Sequence, residues 1–256
     1  MVKDMIKDIS AIDYTSRITV ENPKNYEACV KIKEATNARI CVGCAGTGLR
    51  TETYLRFLCD HAAANDAVWA NVDEQVVDQF NFFKVKTTAK SKEEFLKNPN
   101  LGRQFSNEVM NEIDIKCKHN IDVQIIVGDG LSAYAIERNV GDMYPVLTDG
   151  LKLKGYTVGT PIYIKYSRVA TMDKISETLN AKVTILLIGE RPGLITNQSL
   201  SCYMAYESST QKPESQRTVI SNIYNNGTPP VEAAAQIVHF AEILMREKKS
   251  GAELKM

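Results

Sequence analysis

Val183-Thr-Ile-Leu-Leu-Ile188 decides the fold class. A strand with one wet face alternates apolar and polar residues, whereas this run is apolar without alternation and predicts a strand covered on both faces, as in a parallel sheet between helices. Working outward, Val123-Gln-Ile-Ile-Val127, Pro161-Ile-Tyr-Ile-Lys-Tyr166 and Leu200-Ser-Cys-Tyr-Met-Ala-Tyr206 are further β-branched and aromatic runs of strand length. Residues 133–153 and 173–179, lying between them, have helical spacing. Strands alternating with helices imply crossover connections. The expectation is an α/β protein whose residues 113–256 form a Rossmann-like, mostly parallel sheet, ending in an amphipathic helix near residues 231–248 after Pro229-Pro230.

Residues 1–112 read as a smaller, mainly helical and irregular N-terminal region. Pro23, Tyr26, Ala28, Cys29, Val30, Ile32 and Ala35 recur at helical spacing, and Ala38-Arg-Ile-Cys-Val-Gly43 reads as a short strand or extended link. A glycine-rich turn over residues 43–48 follows, and Thr51 is placed to cap a second helix running towards Trp69. Residues 74–112 are polar with mixed signals and are expected to be helix and loop.

Lys plus Arg and Asp plus Glu are each 31, a net charge of +0, so there is no basic excess to neutralise nucleic-acid phosphates or an anionic membrane. No apolar run approaches the roughly 18 to 20 residues of a membrane helix, and Met1-Val-Lys-Asp-Met-Ile-Lys-Asp8 has acidic residues where a signal peptide is apolar. Six scattered cysteines in a chain of 256 residues read as reduced thiols rather than a disulfide framework. The expected compartment is the cytoplasm.

Two predicted strands end in glycine turns, Val127-Gly-Asp-Gly-Leu-Ser132 and Ile188-Gly-Glu-Arg-Pro-Gly193. Ligands of open α/β sheets bind outside such carboxyl ends, so Asp129, Ser132, Glu190 and Arg191 are expected to project there; the glycines serve equally well as plain tight turns. Neither turn is a dinucleotide fingerprint or a P-loop. Cys41-Val-Gly-Cys44 has metal or redox spacing, with Cys59 and His61 downstream, but a lone C-x-x-C is weak evidence for zinc. None of His61, His119 and His239 lies in an H-E-x-x-H or D-x-H-x-x-G context. Arg217-Thr-Val-Ile-Ser-Asn222 reads as part of a polar loop, with ligand binding as the alternative.

These segments together resemble the ethanolamine ammonia-lyase small subunit over nearly the whole chain. The likeness is carried by Val20-Glu-Asn-Pro23, Ala38-Arg-Ile-Cys-Val-Gly43, Arg50-Thr51, Asp60-His61, residues 123–132, Gly159-Thr-Pro161 and Tyr166-Ser-Arg-Val169. It continues through Leu187-Ile-Gly-Glu-Arg-Pro-Gly-Leu194, Ser199-Leu-Ser-Cys-Tyr203, residues 217–223, residues 227–234 and Lys249-Ser-Gly251.

The resemblance implies a lyase component that pairs with a large subunit and holds adenosylcobalamin between the two. The pair converts ethanolamine to acetaldehyde and ammonia by cobalt–carbon homolysis, hydrogen abstraction, amine migration and loss of ammonia. Cofactor contacts are implied at Val169, Glu190 and Val219, with no catalytic and no metal-ligating residue on this subunit. The family has Cys at position 219, Arg at Cys44, Arg-Pro at Gly48-Leu49 and Gly at Ser167. Residence inside a bacterial microcompartment is left open. A stand-alone corrinoid- or nucleotide-binding module without lyase activity is the alternative, and a thiol or zinc protein built on Cys41 and Cys44 is a third.

Overall fold

The computed structural model describes Ile12, Tyr14 and residues 17–254, so the acidic start at Met1 lies outside the described residues. The chain divides into two compact units, one of Met1–Asp66 with Gly193–Thr196 and one of Ala67–Pro192 with Asn197–Met256. Residues 67–112, grouped above with the N-terminal region, fall in the second unit.

The smaller unit holds α1 (Tyr26–Glu34), a hairpin of β1 (Cys44–Ala45) and β2 (Gly48–Leu49), and most of α2 (Thr51–Trp69). Asn25 caps α1 by accepting from the Ala28 amide at 2.9 Å, which satisfies one orphan donor of the first turn. Residues 38–43 form an irregular link and not a strand, with bends at Ala38 and Cys41 and Cys41 at φ +55°. The link is tied to α2 through Asp60, which accepts from Arg39 Nη2 at 2.7 Å and from Arg56 Nε at 2.8 Å.

The larger unit is built on a six-stranded sheet of order β3-β5-β4-β6-β7-β8. Its strands are β3 (Phe83–Lys86), β4 (Val123–Gly128), β5 (Ile162–Lys165), β6 (Val183–Gly189), β7 (Leu200–Tyr206) and β8 (Thr218–Ile223). The helices are α3 (Glu74–Asp78), α4 (Lys92–Lys97), α5 (Asn107–Lys116), α6 (Ala133–Leu153), α7 (Thr171–Leu179) and α8 (Pro230–Glu247). All six residues of β4 and all seven of β6 are buried, and the period of two sorts them into two cores. Val123, Ile125, Val127, Val183, Ile185, Leu187, Leu200, Cys202 and Met204 pack with α6 and α8. Ile126, Ile162, Ile164, Leu186, Ile188 and Ala205 pack on the opposite face with Ile113 of α5 and Met172 and Ile175 of α7.

The sheet is mixed, with three parallel and two antiparallel strand pairings. β3, β5, β4 and β6 are parallel neighbours, but β7 runs antiparallel to β6 and β8 antiparallel to β7. The link from Gly189 to Leu200 carries no helix, so it cannot return the chain to the starting end of the sheet as a crossover would. The segment expected as a polar loop is the edge strand β8. Arg217, which precedes it, pairs with Asp173 of α7 through Nη2 and Oδ2 at 2.6 Å.

Asp122, just before β4, accepts from Lys182 Nζ at 2.8 Å, from the Thr157 amide at 2.9 Å and from the Thr157 hydroxyl at 2.7 Å. Partial burial opposes ionisation, but these donors together outweigh it and bring the carboxyl down to about 2. A depressed folded pKa contributes stability that is present above the unfolded value near 4 and is lost as pH falls through about 2. Asp122→Asn is therefore expected to flatten the fall in stability between about pH 4 and pH 2. Urea titrations across that range check this; an unchanged acid limb would mean that the three donors do not favour the carboxylate.

Candidate functional site

The order β5-β4-β6 creates a crevice. From β4 the chain leaves through α6 towards β5 on one side, and from β6 it leaves towards β7 on the other. Connections departing in opposite directions from adjacent strands open a gap at their carboxyl ends, where open α/β sheets bind ligands. Both strands end on glycine here. Gly130 has φ +57°, and a Cβ on it would fall well inside contact distance of the Gly189 carbonyl oxygen. That closeness lets the Leu131 amide donate to the same oxygen at 3.0 Å, which locks the two turns together.

Two of the four residues expected to project from this edge turn inward instead. Asp129 is 2% exposed, and its Oδ1 accepts from the Ser167 amide at 2.9 Å. Burial pushes its carboxyl up, with Lys92 and the amides of Tyr166, Ser167 and Gly130 pulling it partly back. It holds the turn after β5, where Tyr166 has φ +62° and the chain bends into Ser167, Arg168 and Val169. Ser132 is fully buried; it caps α6 by accepting from the Ala135 amide and donates its own proton to the Asn197 carbonyl at 2.6 Å.

Glu190 and Arg191 do face outward, into an open cleft of about 370 Å³. The cleft brings together Val169, Glu190 and Val219, which come from the ends of β5 and β6 and from β8. Glu190 Oε1 accepts from the Ser201 hydroxyl and from the Asn222 amide, the latter at 3.1 Å, so the side chain is oriented by both antiparallel strands. Val169 is half-buried beside the start of α7, and Val219, 45% exposed, lies opposite Tyr203 in the β7–β8 register.

Further cleft residues were not singled out from the sequence: Leu131, Arg168, Ser201, Tyr203 and Ser221. The available signal was the alternation in β7, where Leu200, Cys202 and Met204 share the buried face and leave Ser201 and Tyr203 on the other. Burial, then the Glu190 charge, pushes the Tyr203 phenol up, so it remains a hydrogen-bond donor at neutral pH.

Cys41 and Cys44 sit in different surroundings. Cys41 Sγ lies 3.8 Å from the Cys29 carbonyl oxygen, whereas Cys44 is exposed on the hairpin. The Cys29 thiol is pushed up, first by a hydrogen bond with the Cys41 thiol and then by partial burial. Among the described residues no group of three or more His, Cys, Asp and Glu side chains is arranged to hold a metal ion. His61, His119 and His239 are all exposed.

The family profile described as ethanolamine ammonia-lyase light chain matches residues 26–255. The chain belongs to this lyase family as its small subunit. The ethanolamine ammonia-lyase small subunit of Clostridium acetobutylicum is 60% identical over 230 residues, covering 90% of this chain and 95% of that protein. The small subunits of Clostridium tetani and Clostridium perfringens are 47% and 45% identical over 252 residues, each match covering 98% of this chain and 85% of the relative. In this light chain the Ser167 hydroxyl hydrogen-bonds with Thr171 Oγ1 at 3.0 Å. Gly128 provides its space, since a Cβ there would lie 2.6 Å from that of Ser167.

Proposed function

We propose that this light chain holds adenosylcobalamin against a large subunit, with Val169, Glu190 and Val219 as corrinoid contacts, in an enzyme that converts ethanolamine to acetaldehyde and ammonia. The observation that carries the reading is the single cleft at the strand-order reversal into which all three residues open. We read the four parallel strands, with helices on both faces, as the Rossmann-like part of the fold that makes this crevice.

The lining suits a corrinoid. Val169, Val219, Leu131 and Tyr203 offer apolar surface for a macrocycle, while Glu190, Ser201, Ser221 and Arg168 offer donors and acceptors for the amides around its rim. Arg168 Nε is buried without a hydrogen-bond partner, a donor for which an acceptor on a ligand would compensate. When bound, the cofactor supplies the homolytic cobalt–carbon cleavage that starts the radical reaction. The chain's own contribution is to orient the corrinoid through Glu190 and to cover one side of it from water.

Among the described residues no helix is long and apolar enough to cross a membrane. We place the assembled enzyme in the cytoplasm. The test is to mix this chain with a large subunit of the same family and measure adenosylcobalamin-dependent release of ammonia. Activity is expected only when both chains are present, because one cleft face cannot enclose a radical site. Steady acetaldehyde production by the single chain, or an inactive pair that assembles, would refute the reading.

Glu190→Ala is expected to weaken adenosylcobalamin binding to the assembled enzyme by roughly tenfold to a hundredfold, the effect of about 1.5 to 3 kcal/mol for a charged hydrogen-bond partner. A carboxylate has about four acceptor positions, so the groups already bound to Oε1 leave capacity for ligand amides. Cofactor affinity and melting temperature measured on one preparation separate the possibilities. Affinity within about twofold of wild type, with a lowered melting temperature, would reduce Glu190 to a brace between β7 and β8.

A further inference from the structure

Arg168 is the cleft residue whose chemistry is least satisfied. Its backbone amide donates to the Gly102 carbonyl at 2.8 Å, and its guanidinium lies over the Phe95 ring, 4.4 Å from the centroid. The side chain is thereby fixed in place, yet Nε has no partner and Nη2 makes only a 3.5 Å approach to the Phe95 carbonyl. Two more guanidinium groups, Arg103 and Arg191, lie near enough to act on it. Burial first, then the charge of Arg191, then that of Arg103 push the Arg168 pKa down.

The nearby carboxylates have other hydrogen-bond partners, and neither forms an ion pair with Arg168. Asp129 is faced by Lys92, whose ammonium lies buried over the Phe95 and Tyr166 rings, and it also accepts the Ser167 amide. Glu190, in the same cleft, accepts from Ser201 and Asn222. Among the described residues none of Arg103, Arg168 and Arg191 forms an ion pair. A half-buried guanidinium with its Nε shielded from water and Arg191 and Arg103 close enough to oppose its charge favours an anion with more than one oxygen, because a guanidinium presents parallel donors to a carboxylate or phosphate.

We propose that Arg168 is a further cofactor-binding residue, and that it takes the phosphodiester of the corrinoid's nucleotide loop, with Arg103 and Arg191 adding to the local positive field. This inference rests on the corrinoid reading of the cleft. The rim amides of a corrinoid are neutral, so the phosphodiester is the peripheral group that answers a cluster of positive charge. Arg168 also adjoins Val169 in sequence, so a ligand reaching one contact lies beside the other.

The experiment compares two corrinoids on the enzyme assembled with a large subunit: adenosylcobalamin, and adenosylcobinamide, which lacks the nucleotide loop. Affinities are measured for wild type, Arg168→Ala and Arg168→Gln, with melting temperatures as a control. Each variant is expected to bind adenosylcobalamin roughly tenfold to a hundredfold more weakly and adenosylcobinamide within about twofold of wild type. Should Arg168→Ala fold poorly for want of its stacking on Phe95, Arg168→Gln retains most of the stem and carries the comparison. Unchanged adenosylcobalamin affinity, or an equal loss for both corrinoids, would overturn the phosphodiester assignment while leaving the corrinoid site standing. Failure of the wild-type assembly to bind either corrinoid would overturn the reading of the cleft and this inference with it.

Discussion

Arg217→Met is expected to destabilise the larger unit by about 3 to 5 kcal/mol, on the order of 10 °C in melting temperature. Arg217 and Asp173 each have only 8% of their side chain exposed and pair at 2.6 Å, with the Ser208 hydroxyl donating to the other Asp173 oxygen, also at 2.6 Å. Removing the guanidinium leaves a buried carboxylate with a single hydroxyl for compensation, and the lost charge partner costs more than the pair itself contributes. Burial already pushes the Asp173 carboxyl up against the opposing pull of Ser208 and Arg217, so loss of Arg217 raises it further. A raised folded pKa contributes stability that is full below the unfolded value near 4 and is lost as pH rises through the folded one. The deficit of Arg217→Met should accordingly be smaller near pH 4 than at pH 7. Adding Asp173→Asn should recover part of it at pH 7. Urea unfolding at the two pH values checks both statements, and a pH-independent deficit would show that packing, not charge, is what Arg217 supplies.

Gly130→Ala is expected to cost a comparable amount, about 3 to 5 kcal/mol, and, on the proposed reading of the cleft, to lower corrinoid affinity as well. Its φ of +57° carries a penalty of roughly 1 to 2 kcal/mol for a residue with a Cβ. The larger part is the collision with the Gly189 carbonyl oxygen, which cannot retreat without breaking the Leu131–Gly189 bond and displacing Glu190. Gly46 provides an internal control: it has φ +61°, but a Cβ there meets nothing within 4 Å. Gly46→Ala should show the backbone penalty alone. Equal melting shifts for the two variants would mean that the close approach of the β4 and β6 turns does not matter.

The legibility of the fold followed burial. α6 occupies residues 133–153, as its spacing predicts, and β4, β5, β6 and β7 coincide with apolar runs because each is packed on both faces. The edge strands were not legible. β3 reads Phe-Lys-Val-Lys and β8 reads Thr-Val-Ile-Ser-Asn-Ile, since an edge exposed to water carries polar side chains that look like loop. The direction of β7 was equally hidden, because an apolar run reports that a strand is buried but not which way it runs. The helix-free link over residues 190–199 was the one available sign.

The sequence by itself determined the alternation of strands and helices, the buried strands and the family, and its resemblance to that family pointed to positions 169, 190 and 219. The tertiary structure decided where those positions lie. They lie far apart in the chain and share a cleft only because β7 and β8 return antiparallel beside β6. Asp129 and Glu190 each follow a buried strand and a glycine, and local rules treat them alike. Asp129 turns inward because the amides after β5 are there to solvate its carboxylate; Glu190 turns outward, held by Ser201 and Asn222 at the cleft wall. The difference lies in which donors another part of the chain brings within reach, and a charged group settles where its lost water is best replaced.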